Sequence, residues 1–258
     1  MKKIPTTAGA INIIGEHINI SSSNFVNNKA VATHKDDSIG AGAIYVEGNN
    51  ATIFNSTFDQ NTALKGGAIF IVVNNTNVYE CNFTNNSAFN FTNMQGMGGA
   101  IYLENATDSE FVKCNFNDNT ASVNGGAIDW HEGCVDGVID ECSFTDNSAA
   151  SNGGALLWFG EGGIIKNSNF TNNRANGTVA CVMGNSGDGG AIMWTGSNGT
   201  VDNCIFTDNY AKAHGGAVYL RAVPGRADCY NNSFINSKFE DNRADIDGGA
   251  IHFNDGAD

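Results

Sequence analysis

Residues 58–71 read Phe58-Asp59-Gln60-Asn61-Thr62-Ala63-Leu64-Lys65-Gly66-Gly67-Ala68-Ile69-Phe70-Ile71. Asn follows the phenylalanine by three residues and Ala by five; then comes Gly-Gly-Ala and an aliphatic residue. The same spacing returns from Phe25, Phe83, Phe116, Phe144, Phe170, Phe206 and Phe239, with Asn at 28, 86, 119, 147, 173, 209 and 242. Only the first unit varies the glycine pair, as Gly40-Ala41-Gly42-Ala43-Ile44. Successive phenylalanines are 33, 25, 33, 28, 26, 36 and 33 residues apart, so the basic unit is the shortest step and the remainder are insertions. A fixed period of this length marks a solenoid, and it is too short for a propeller blade.

Inside each unit, apolar residues recur at strand spacing. The residue five before Phe is always apolar (Ile20, Ile53, Val78, Phe111, Ile139, Ile165, Val201, Phe234), and the residue two before is always Ser or Cys. After the motif alanine, the first and third residues are apolar, as in Ile44/Val46 and Ile192/Trp194. Alternation of this kind reads as short strands with one face inward. The pattern predicts three strands per unit, stacked coil on coil into an all-β parallel β-helix of about eight coils. Asn28 to Asn242 are expected at left-handed bends, stacked as an amide ladder, because the Asn amide both donates and accepts. The glycine pairs are expected at tight corners where neighbouring coils approach closely. Trp130, Trp158 and Trp194 share the inward position with Val46, Ile71, Leu103 and Leu220, which predicts a core stack rather than a sugar platform. Cys81, Cys114, Cys142 and Cys204 share the inward Ser position and are expected as packed free thiols.

Composition narrows the function classes. Of 258 residues, 41% are hydrophobic, enough for a core, and the net charge is −14. Such a balance excludes a nucleic-acid partner, and no apolar run is long enough for a helical membrane span. Residues 1–258 read as one β-helix unit. Half-units at both ends, Ala8-Gly9-Ala10-Ile11 and Gly249-Ala250-Ile251, suggest a piece cut from a longer array, with open end coils that invite end-to-end self-association.

Gly-Gly-Ala-Ile together with Phe-x-x-Asn resembles the repeats of chlamydial polymorphic outer-membrane proteins. It is equally similar to repeats in adhesin-like surface proteins of methanogenic archaea. The resemblance covers Ala8 to Phe253 and implies a right-handed helix and a cell-surface or extracellular adhesin. Its partners would then be a polysaccharide or a cell-surface protein or glycan, bound without catalysis. A polysaccharide-active lyase or hydrolase and a structural spacer are the alternatives.

Candidate site residues follow from register. Two residues after the motif alanine stand Tyr45, Phe70, Tyr102, Asp129, Leu157, Met193, Tyr219 and His252. Period two turns this column outward, so Tyr45, Phe70, Tyr102 and Tyr219 are the candidate ligand-binding residues. Insertions at 31–39, 89–97 and 176–188 gather at one corner and would either bind or cover the stripe. For catalysis the candidates are Asp129, His131, Glu132 and Glu161, an exposed acid/base set whose carboxylates would need to lie about 5–9.5 Å apart. No Cys-x-x-Cys or His-rich spacing marks a metal site. No cofactor is expected, and Asp245, Asp247 and Asp255 form an acidic loop that is at best a weak calcium candidate.

Overall fold

A computed structural model describes residues 8–30, 40–89, 96–179, 187–223 and 229–254. Every regular element among them is a strand of two to four residues. These strands form four parallel sheets. The first has nine strands, from Ile11–Ile13 to Ile251–Asn254; the second has eight, from Asn19–Ser21 to Ser233–Ile235. The third has eight, from Asn24–Val26 to Lys238–Glu240, and the fourth seven, from Thr62–Ala63 to Arg243–Ala244. Each coil visits the sheets in that order and pairs with the coils on either side, so the chain is a parallel β-helix. No helix among the described residues is long and apolar enough to cross a membrane.

The three-strand expectation is corrected to four. The extra strand is the two-residue segment between the ladder Asn and the motif Ala, as in Ser87–Ala88, which pairs with Thr62–Ala63 and Thr120–Ala121. The left-handed residue is also displaced by one. It precedes the ladder Asn, as in Gln60, Asn85, Asp118 and Asp146, while the ladder Asn itself stays in ordinary backbone. Its side chain therefore points inward, where the amide is fully buried from Asn61 to Asn209.

Four of the columns that fill the interior carry distinctive side chains. The phenylalanines of the third sheet stack with ring centroids 4.6–4.9 Å apart and nearly parallel planes. From Asn61 to Asn242 each ladder Asn accepts at Oδ1 from the backbone and side-chain amides of the previous coil, and its Nδ2 also donates to a Phe carbonyl. The tryptophans stack at 4.4 and 4.9 Å on the inner face of the first sheet. Each indole lies where a Cβ on Gly137, Gly163 or Gly199 would come within 2.0–2.2 Å, so these glycines make the room. Along the fourth column, Cys81, Cys114, Cys142 and Cys204 are buried free thiols whose Sγ atoms contact backbone carbonyls. Cys134 and Cys229 are also buried and free, and Cys181 lies outside the described residues.

Candidate functional site

The predicted ligand-binding stripe is not exposed. Tyr45 and Phe70 are 6% and 4% accessible, and Tyr102 and Tyr219 are fully buried. Period two was right about which face they occupy, but that face carries a second apolar layer. Tyr45, Phe70 and Tyr102 pack with Ala41, Val72 and Met97. Leu157, Met193 and Tyr219 pack with Val123, Phe159 and Val223. The covering residues come from the corners flanking the sheet, beyond what strand alternation can assign. Most of 31–39, 89–97 and 176–188 lies outside the described residues.

Asp129 interrupts this outer layer. It sits in the strand Ile128–Trp130, in register with Tyr102 on one side and Leu157 on the other. It is fully buried, which corrects its assignment to an exposed cluster. Its Oδ1 lies 3.1 Å from His131 Nδ1, and its Oδ2 has no hydrogen-bond partner. The His131 ring spans the two apolar clusters, 5.3 Å from Tyr102 and 6.1 Å from Phe159. Lys65, from two coils earlier, completes the group. Its Nζ donates to the Tyr102 hydroxyl at 2.9 Å, lies 4.3 Å from that ring's centroid and sits 3.5 Å from Glu104. Burial first, then the carboxylates of Asp129 and Glu104, push the Tyr102 phenol far up, so it remains a neutral donor and acceptor. The arrangement can hold a proton between His131 and a buried carboxylate, beside a lysine already bound to a phenol.

Of the other candidates, Glu132 is half-buried and close enough to add to the field on Tyr102. Glu161 is exposed at the corner beyond the first sheet, where it pairs with Val135 and accepts from Asn198. The structure therefore unites Asp129 with His131 and places Glu161 one coil on, exposed in the turn that follows the first sheet and held by Asn198. Lys65 and Glu104 were missed, although counting three residues back from each motif alanine finds Lys65. That same column holds a second pair: buried Asp188, whose Oδ1 lies 2.8 Å from His214 Nδ1 and whose Oδ2 is unpartnered. Asp245 is engaged by Lys212, Arg243 and the Tyr210 hydroxyl, and the Lys212 hydrogen bond leads in holding its pKa down to about 2. Asp255 lies outside the described residues. Among the described residues no three His, Cys, Asp or Glu side chains are grouped to hold a metal.

The Asp129–His131 pair makes stability pH-dependent. Burial pushes the His131 pKa down, but the charge and hydrogen bond of Asp129 outweigh it and the net shift is upward from 6.5. The folded state then binds a proton that the unfolded chain lacks between the ordinary and the raised value. This contribution is complete below the unfolded pKa and disappears as pH rises through the folded one. Thermal melting across neutral pH should show that loss in the native protein and its absence in His131→Gln. Parallel profiles for the two would refute it.

The right-handed β-helix region family matches residues 88–258, well over half of the chain. The repeat of Chlamydia polymorphic membrane proteins matches residues 55–72, which contain Phe58, Asn61 and Gly66-Gly67-Ala68-Ile69. No curated protein matches the sequence. Among solved structures, the chain is similar to HetL, a pentapeptide repeat protein involved in heterocyst differentiation regulation from the cyanobacterium Nostoc sp. strain PCC 7120. That likeness has 8% identity and a TM-score of 0.23 over 95% of this chain and 94% of the other. It is too weak to carry an argument.

Proposed function

Because the chain belongs to the right-handed β-helix family, we propose that it is an adhesin-like surface protein that binds polysaccharide or cell-surface glycan without catalysis. The match to the polymorphic membrane protein repeat supports a surface role. The observation that carries the reading is the order of the exposed side chains. On the lateral faces they are tied coil to coil: Asn115 to Asn82, Ser143 to Asn115, Asn167 to Asp140 and Asn203 to Asn167, all at 2.8–2.9 Å. Polar groups repeated at one strand spacing, about 4.8 Å, and already held in place lose little freedom on binding. Glycan-array and whole-cell binding test this, and absence of binding by the intact rod would favour the spacer over the adhesin.

A second reading, acid/base cleavage of a polysaccharide, is favoured by one observation, the buried Asp129 against His131. In that case Asp129→Asn combined with Glu132→Gln would abolish a chain-cleaving activity. On the binding reading the double variant retains glycan binding within about twofold, since neither carboxylate lies on the lateral faces. Cleavage by the native chain that is lost in this variant would displace the adhesin reading.

A further inference from the structure

The second sheet carries an exposed apolar ridge that the sequence pattern did not flag. Phe54, Tyr79 and Val112 are consecutive in one outward column, in register strand to strand. The ridge then steps into the adjoining column at Val138 and Ile164, again in register. It thus presents one apolar side chain on each of five successive coils, with Phe54 and Ile164 each 40% accessible and the others half-buried. Elsewhere on this sheet the corresponding positions are largely Asn, Thr, Ser and Asp, with Ile235 a separate exposed apolar residue in the last strand, and among the described residues no second layer comparable to that over the first sheet packs on it.

Resting on the adhesin reading, we propose that this ridge is the glycan contact, and that its ligand is a neutral, extended polysaccharide. Three features select that chemistry. First, the Tyr79 hydroxyl lies 3.1 Å from Glu110 of the next coil, which ties the ring across the face of the sheet instead of leaving it free to turn into solvent. Second, the apolar column is bordered by Thr52, Asn77 and Glu110, which offer acceptors and donors beside it. A pyranose has the matching form, an apolar C–H face rimmed by hydroxyls, and one strand spacing per coil is close to one sugar unit of an extended chain. Third, the nearest lysines are already paired. Lys166 lies 3.3 Å from Asp140, and Lys113 lies 4.0 Å from Glu141. Among the described residues a polyuronate finds no unpaired lysine on this face and is repelled by the overall charge of −14, while Glu110, the carboxylate beside the ridge, is engaged by the Tyr79 hydroxyl. Exposed apolar surface of this extent on a sheet otherwise polar is the usual mark of a contact site.

The test compares the native chain with Phe54→Ser/Tyr79→Ser on arrays of neutral β-linked oligosaccharides, polyuronates and basic peptides. Ile205→Ser, an exposed apolar residue of the third sheet, serves as control. Thermal melting verifies that all three proteins are folded. We expect the native chain and the control to bind neutral glycans alike, and the double variant to bind about tenfold more weakly. Native binding that persists unchanged in the double variant overturns the ridge while leaving the adhesin reading intact. Preference for polyuronate or basic peptide, or a native dimer that dissociates in the variant, also overturns it. No glycan binding by the native chain removes both proposals together.

Discussion

Gly126→Ala is expected to disrupt the centre of the rod, not merely to weaken it. A Cβ built on Gly126 lies 1.9 Å from the carbonyl oxygen of Gly154 and 2.6 Å from the amide nitrogen of Ser148. Both are backbone atoms of the next coil, so no rotamer change relieves the overlap. Only separation of the coils does, and separation breaks the Gly126 N–H to Gly153 hydrogen bond and those flanking it. Overpacking ordinarily costs about 1–3 kcal/mol, but contact with immovable backbone on two sides puts this substitution at about 4 kcal/mol or more. The same position in the final coil supplies the control. A Cβ on Gly249 meets nothing nearer than 3.6 Å, so Gly249→Ala should change stability by less than about 0.5 kcal/mol. Urea denaturation of both variants decides the matter. Equal stabilities would mean that close approach of neighbouring coils is not why glycine holds this column.

That contrast also explains why the fold was so legible. The second glycine of each pair, from Gly42 through Gly216, faces the equivalent glycine carbonyl of the next coil at 1.7–2.0 Å from where a Cβ would be. A constraint imposed by identical neighbours must reappear at every coil, so a single sequence displays it many times over. Phe25 to Phe239 and Asn28 to Asn242 are repeated for the same reason. The fourth strand was missed because two residues show no alternation, and the left-handed residue because Gln60, Asp118 and Asp146 occupy it as readily as Asn.

The site was less legible because its determinants are not periodic. Asp129 stands in the right column, but strand alternation reports the direction of a side chain and is silent about what lies above it. Met97, Val123, Phe159 and Val223 reach over the first sheet from its flanks, and each occurs once. Lys65 meets Tyr102 and Glu104 because its bridge to Met97 sets it beside their coil, but lysine occupies that position of the repeat only once. The ridge on the second sheet failed for the opposite reason. Phe54 and Tyr79 occupy positions that are Ser21, Asp140 and Asp202 in other coils, so averaging over the repeat erased them.

Asn147→Ala should be nearly as damaging as the glycine substitution, by an unrelated mechanism. The Asn147 Oδ1 accepts from both the backbone and the side-chain amide of Asn119, and its Nδ2 donates to the Phe116 carbonyl and to Asn173 Oδ1. Alanine leaves the Asn119 N–H and one Asn119 side-chain hydrogen buried without partners, and takes from the Phe116 carbonyl the bond it receives from the side chain. Each such group costs about 1–3 kcal/mol, and about 2–6 kcal/mol for the two is a large part of the whole stability of many domains. A rod is held by interfaces between neighbouring coils, so the loss should fall locally. Hydrogen exchange at Asn119 and Ser148 should accelerate before exchange in distant coils does. Asn28→Ala makes the contrast, because Asn28 Nδ2 only donates to Asn61, and the Asn28 backbone N–H keeps its bond to the same oxygen. That change strands nothing and should cost less than about 1 kcal/mol. Asn147→Asp then separates hydrogen bonding from shape. Aspartate fills the same space and still accepts from Asn119, but it cannot donate to Phe116, and it sets a carboxylate against Asn173 Oδ1. If Asn147→Asp is as stable as the native protein, packing and not the amide ladder holds this column; if it fails as alanine does, the donated hydrogen bonds are what the column requires.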